Sequence, residues 1–185
     1  MFIQTEETPN RATLKFLPGR SVMAAGVADF ISADCAERSP LASALFDLDG
    51  VTGVFLGGDF ITVTKAGEKS WATMKPMILG TIMDHFTSGA PVVAGEAAAE
   101  DDELGDGGLD PEIVSQIKEL IDTRVRPSVA QDGGDIVYRG FKEGTVFLNM
   151  RGSCAGCPSS TATLKMGIEN MLRHYIPEVR QVEAV

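Results

Sequence analysis

Positive charge is in short supply. Sixteen Lys and Arg stand against 26 Asp and Glu, for a formal net charge of -10 and a pI near 4.6, which argues against any broad electrostatic hold on nucleic acid or on an anionic membrane surface. No apolar stretch reaches the length of a membrane span. The start, Met1-Phe2-Ile3-Gln4-Thr5-Glu6-Glu7, has neither a basic residue leading an apolar run nor an Arg- and Ser-rich amphipathic helix, so no export or import signal is expected there. Partners are therefore expected to be proteins. Cysteine is scarce as well: three residues build no even disulfide framework and point to a reducing compartment in which thiols stay free. No Ser/His/Asp grouping or pair of carboxylates stands in a recognisable arrangement. The two histidines, His85 and His174, fall late in predicted helices, where a histidine commonly lies at the surface or complements the helix dipole. The glycines of Gln131-Asp132-Gly133-Gly134-Asp135 are not followed by Gly-Lys-Ser/Thr, so they read as a turn, not as a phosphate loop. Acid/base and nucleophilic catalysis have no visible apparatus, and the chain is not expected to be an enzyme.

What is present is a pair of cysteines three positions apart in Arg151-Gly152-Ser153-Cys154-Ala155-Gly156-Cys157-Pro158. Ala155 and Gly156 carry nothing large enough to keep the two sulfurs apart. Pro158 suits a first helical position, and Leu164, Ile168, Met171, Leu172 and Tyr175 follow at helical intervals. Cys157 is thus expected at the helix start, where free N–H groups and the positive dipole end favour the thiolate, the form that binds metal or attacks a disulfide. A disulfide staple or two packed apolar thiols are the plainer alternatives. A staple across two residues closes too short a loop to stabilise much, and the flanking Gly, Ser and Pro are unlike a core segment. The third cysteine, Cys35, reads as a small packed residue or an incidental free thiol.

The pattern of elements predicts an α+β chain of two small domains. Residues 1–94 hold a strand at Leu14–Leu17 and a helix capped by Ser39-Pro40. A hairpin then pairs Val51–Leu56 with Phe60–Lys65, and a helix follows whose inward face is Trp71, Met74, Ile78, Ile82 and Phe86. Residues 95–109 are acidic, rich in Gly and Ala and without a basic residue, and are expected to form an extended, mobile linker. Residues 110–185 predict helix, strand, strand, helix, strand: a two-layer unit. Its first helix is expected to stop before Pro127, and its cysteines should lie exposed where strand passes to helix.

On these residues the chain resembles the Nfu family of NifU-like iron–sulfur cluster scaffold and carrier proteins. In the second domain the resemblance runs from Arg126-Pro127 through Asp132-Gly133-Gly134-Asp135 to Cys154-Ala155-Gly156-Cys157-Pro158-Ser159-Ser160 and on to Thr163-Leu164-Lys165 and Gly167-Ile168-Glu169. In the first it lies in Met1–Thr5, Thr8-Pro9-Asn10, Leu14–Gly19, Ser39–Ala42 and Asp59–Val63. Arg11 departs from it, since the family usually has a second proline after Thr-Pro-Asn. The resemblance implies a 4Fe-4S cluster held by Cys154 and Cys157 and handed on to apo iron–sulfur proteins, with upstream assembly proteins as donors. It implies a bacterial cytoplasmic location, or the mitochondrial matrix for a processed eukaryotic form. A cubane cluster usually takes four thiolates and each chain offers one close pair, so a cluster-bridged homodimer is expected. A thiol–disulfide oxidoreductase and an intersubunit zinc site remain open as alternatives for the same pair.

Overall fold

The computed structural model describes residues 1–94, 105, 107–155 and 158–185, the side chains of the last segment from 161 onward. The chain is α+β and divides into two compact units, Met1–Ala99 and Glu100–Val185. The acidic tract over 95–109 lies largely outside the described residues. Its end does not: Gly105 bridges to Gly140, accepting a hydrogen bond from the Phe141 amide at 3.1 Å, and Leu109 packs on the apolar core of the second unit.

In the first unit five antiparallel strands are ordered β1-β2-β5-β4-β3: β1 (Gln4–Glu7), β2 (Thr13–Leu17), β3 (Ala28–Phe30), β4 (Val51–Leu56) and β5 (Ile61–Lys65). Helices α1 (Pro40–Phe46) and α2 (Trp71–Ser88) pack on each other and close the core over Phe16, Phe30, Leu41, Leu45, Ile61, Ile78 and Ile82. Ser39 caps α1 as the sequence predicts, its Oγ accepting the Ala42 amide at 3.0 Å. α2 differs at one position. Its inward row runs Met74, Ile78, Ile82 and then His85, which is only 8% exposed, so the expected surface histidine is a core residue. A step of three from Ile82 points inward as well as a step of four does, and Phe86 instead lies half-buried under the Arg20 guanidinium, 4.9 Å from its ring centroid.

The second unit opens with α3 (Pro111–Leu120), capped by Asp110, whose Oδ1 accepts the Glu112 amide at 3.0 Å. The helix does not stop before Pro127 as predicted. It passes through a π-helical turn, Ile121–Val125, into α4 (Arg126–Gln131). The buried row Ile117, Ile121, Val125, Val129 explains why. Each four-residue step overshoots a regular α-turn by about 40°, and the wider π turn winds the row back towards the core. In that turn the Arg126 amide donates to the Ile121 carbonyl five residues back. Pro127 therefore follows at the entry to a fresh α segment, where its missing N–H is tolerated.

Next come β6 (Gly134–Lys142) and β7 (Thr145–Gly152), an antiparallel hairpin that turns on two residues, Glu143 and Gly144, with φ of 51° and 86°. Paired positive φ values match the right-handed twist of the flanking strands. Helix α5 (Pro158–Tyr175) carries the chain to β8 (Gln181–Ala184), which lies parallel to β7 in a sheet ordered β6-β7-β8. Ile168 and Leu172 of α5 join Ile117, Ile121, Ile136, Leu148 and Val182 in the core. Among the described residues no helix is long and apolar enough to cross a membrane.

Candidate functional site

β7, α5 and β8 form a parallel strand–helix–strand unit, and the cysteine turn follows the carboxyl end of β7. The sequence places the turn correctly between strand and helix. Its exposure is another matter. Cys154 is 7% exposed and belongs to the apolar cluster of the second unit, not to an outlying loop. It forms no disulfide. Cys157, the other predicted ligand, and Gly156 lie outside the described residues. Helix α5 begins at Pro158, as the proline predicts.

The position of Cys154 is set by the segment that the sequence reads only as a turn. Gly134 and Gly152 are register partners at the open end of the β6–β7 ladder. A Cβ built on Gly134 would stand 2.8 Å from the Cys154 Sγ and 2.7 Å from the Arg151 carbonyl oxygen. Only glycine lets the sulfur settle against that backbone. The turn is bonded to the same segment by its neighbour: the Ser153 amide donates to the Gly133 carbonyl at 3.3 Å, and the Ser153 hydroxyl donates to the Asp132 carbonyl. On the far side the Thr161 hydroxyl of α5 donates to the Cys154 carbonyl at 3.0 Å. Strand β6, the turn and the first turns of α5 thus share one hydrogen-bonded frame.

An ion pair fastens that frame to the helical layer. Asp135, 4% exposed, accepts from Arg126 Nε at 2.8 Å and from Nη2 at 2.9 Å, while Nη1 reaches the exposed Asp122 at 3.2 Å. The hydrogen bonds that Arg126 donates to Asp135 are the main reason that its pKa lies above its ordinary value. Removing the guanidinium would strand a buried carboxylate, at a cost above the ~1–3 kcal/mol of a neutral buried group left unpaired. Asp132, Gly133, Gly134, Asp135 and Arg126 are therefore site residues that a reading of local turns misses. The signal was in the sequence as the run from Arg126 to Asp135, but its meaning depends on contacts with residues 151–154, far along the chain.

The remaining candidates lie on other elements. Cys35 is an exposed free thiol in a 3-10 segment (Asp34–Arg38) of the first unit, near the Ser32 hydroxyl at 3.4 Å. His174 is exposed and stacks edge-on against Tyr175, with ring centroids 5.1 Å apart. Among the described residues no three His, Cys, Asp or Glu side chains converge as a metal-ligand set. The donor chemistry at the turn is soft sulfur, which suits iron–sulfur clusters or zinc and not oxygen-seeking cations.

Comparison with known proteins matches both units in order. The family model described as "Scaffold protein Nfu/NifU N terminal" matches residues 3–89, and that described as "NifU-like domain" matches residues 117–183. The human "NFU1 iron-sulfur cluster scaffold homolog, mitochondrial" is 52% identical over 191 residues, which cover 100% of this chain and 72% of the human protein. "NifU-like protein 4, mitochondrial" of Arabidopsis thaliana is 50% identical over 185 residues, covering 99% of this chain and 65% of that protein. A solution NMR structure of a NifU-like protein from Saccharomyces cerevisiae aligns with a TM-score of 0.47 at 26% identity, over 52% of this chain and 87% of that one. With half of all positions identical to these relatives along the full length, and both units matched in the same order, the chain belongs to the Nfu family of NifU-like proteins.

Proposed function

We propose that this protein is an iron–sulfur cluster scaffold and carrier: it binds a 4Fe-4S cluster between two copies of the chain through Cys154 and Cys157 and passes it to apo-proteins. The cluster is cargo, not a resident catalyst, and the chain performs no catalysis of its own. The observation that carries the reading is the glycine-floored seat of Cys154 at the carboxyl end of β7. It occurs in a chain half identical to proteins named as cluster scaffolds. The seat fits sulfur ligation, because the absent Cβ of Gly134 leaves room for a thiolate to rest on backbone. Cubane clusters take about four thiolates and one pair per chain supplies half, so two chains meet over the cluster. Ligands drawn from two subunits are exchangeable for an acceptor's thiolates, and transfer needs that lability.

The partners are apo iron–sulfur proteins as acceptors and upstream assembly proteins as donors. The first unit, which carries no cysteine pair, recognises acceptors or stabilises the carrier. Relatives named as mitochondrial favour the mitochondrial matrix for a eukaryotic form of this chain; a bacterial form would work in the cytoplasm. The test is an absorption spectrum of protein purified without oxygen. Broad visible bands from thiolate-to-iron charge transfer are expected. A colourless zinc protein or a reversible Cys154–Cys157 disulfide would contradict the proposal in favour of an intersubunit zinc site or a thiol–disulfide oxidoreductase.

A further inference from the structure

The Arg126–Asp135 pair stands one residue from the glycine floor of the cysteine turn. Asp135 is the second residue of β6 and its carboxylate is almost wholly enclosed, 4% exposed, with both oxygens taken by one guanidinium at 2.8 and 2.9 Å. One residue back, Gly134 forms the floor under the Cys154 sulfur, and two residues before that, the Asp132 carbonyl receives the Ser153 hydroxyl. Across the ladder, Asp135 pairs in register with Arg151 and Gly134 with Gly152, the residues that lead into the turn. Arg126 itself directly follows the π-helical turn. A bidentate guanidinium–carboxylate contact fixes both distance and orientation. The only covalent link between what it grips and the floor is one peptide unit.

We infer that Arg126 and Asp135 are positioning residues for the thiolate ligand: their ion pair holds Gly134 at the height that seats Cys154, and so governs how readily the sulfur is released. This rests on the cluster-carrier reading for its consequence, but the seating of the thiol is measurable without any cluster. Neutralising Asp135 should let the start of β6 lift, exposing the sulfur and weakening its hold on a bound cluster.

The test uses the full chain carrying Cys35→Ser and Cys157→Ser, so that Cys154 is the sole thiol, and follows its alkylation by iodoacetamide under native conditions. Asp135→Asn keeps the shape of the side chain and removes its charge. It should alkylate on the order of ten-fold faster, as expected when a charge-assisted bond that restrains local opening is lost. Arg126→Lys, which keeps the charge but not the two-pronged geometry, should fall between Asp135→Asn and the parent. Asp122→Asn removes only the exposed partner of Arg126 and should stay within about two-fold of the parent. The thermal midpoint is recorded for each. If Asp135→Asn lowers the midpoint but alkylates at the parental rate, the pair is structural only and the inference is overturned; equal acceleration by Asp122→Asn overturns it too. A second arm loads the chain with Cys157 restored and times cluster loss to a chelator, where Asp135→Asn should release faster and an unchanged release rate would contradict the inference. Failure of the parent to load at all would sink the carrier reading, while the alkylation arm would still judge the seat.

Discussion

Cys154 is a buried thiol on a backbone floor, and its substitutions separate ligation from packing. Cys154→Ser and Cys157→Ser should each abolish stable cluster binding, since a hydroxyl is a poor match for iron. Cys154→Ser should also cost ~1–2 kcal/mol of stability, because it puts a hydroxyl into the apolar cluster of the second unit. Iron content and chemical unfolding, measured together, check both parts; parental iron in either variant would remove the residue from the ligand set. Cys35→Ser, at an exposed thiol in the other unit, should change neither quantity. Gly134→Ala is the complementary probe. Its Cβ would meet a carbonyl oxygen at 2.7 Å and the Cys154 sulfur at 2.8 Å, and a backbone atom cannot swing aside. We expect a loss of ~1–3 kcal/mol together with poor cluster retention, whereas parental values for both would mean that the floor is not where the geometry puts it.

At the scale of elements, what could be read from sequence was what local rules decide. The caps at Ser39 and Asp110, the hairpin between β4 and β5, and the helix starting at Pro158 all follow from residues within a turn of one another. What escaped depends on partners far along the chain. β1 is polar throughout, Gln4-Thr5-Glu6-Glu7, and is a strand because β2 lies beside it, with Lys15 reaching Glu6 at 3.5 Å. The continuation of α3 through Pro127 depends on a π turn that the core row demands. The floor of the cysteine seat looks like an ordinary Gly-Gly turn until β7 returns to it. His85 belongs to the same class and carries a pH signature. Its Nε2 is buried without a hydrogen-bond partner among the described residues. Burial pushes its pKa below the ordinary 6.5, against a smaller upward pull from the Ala90 backbone. Between the lowered folded value and 6.5 the unfolded chain binds more protons, so stability rises with pH across that window and is lost as pH falls through it. His85→Leu should flatten the pH dependence of the first unit's thermal midpoint below about pH 6.5. A slope equal to the parent's would assign the dependence to other groups.

For the whole molecule, the proposed function assigns the two units different work. Met1–Ala99 and Glu100–Val185 are each compact, with a core of their own, so the second unit should fold and load a cluster without the first. Comparing cluster transfer from the full chain and from residues 100–185 into several apo-proteins, at matched loading, tests the proposed role of the first unit. Slower transfer from the fragment into some acceptors and unchanged transfer into others is expected if docking raises the local concentration of cluster beside its target; equal rates into all would remove that role. The central claim is the shared cluster, and native mass measurement of anaerobically loaded protein tests it most directly. The account predicts two chains carrying one cluster of about four irons, stepping down in mass when the cluster is stripped. A single chain that keeps a full cluster, or a dimer holding one zinc ion in its place, would contradict it.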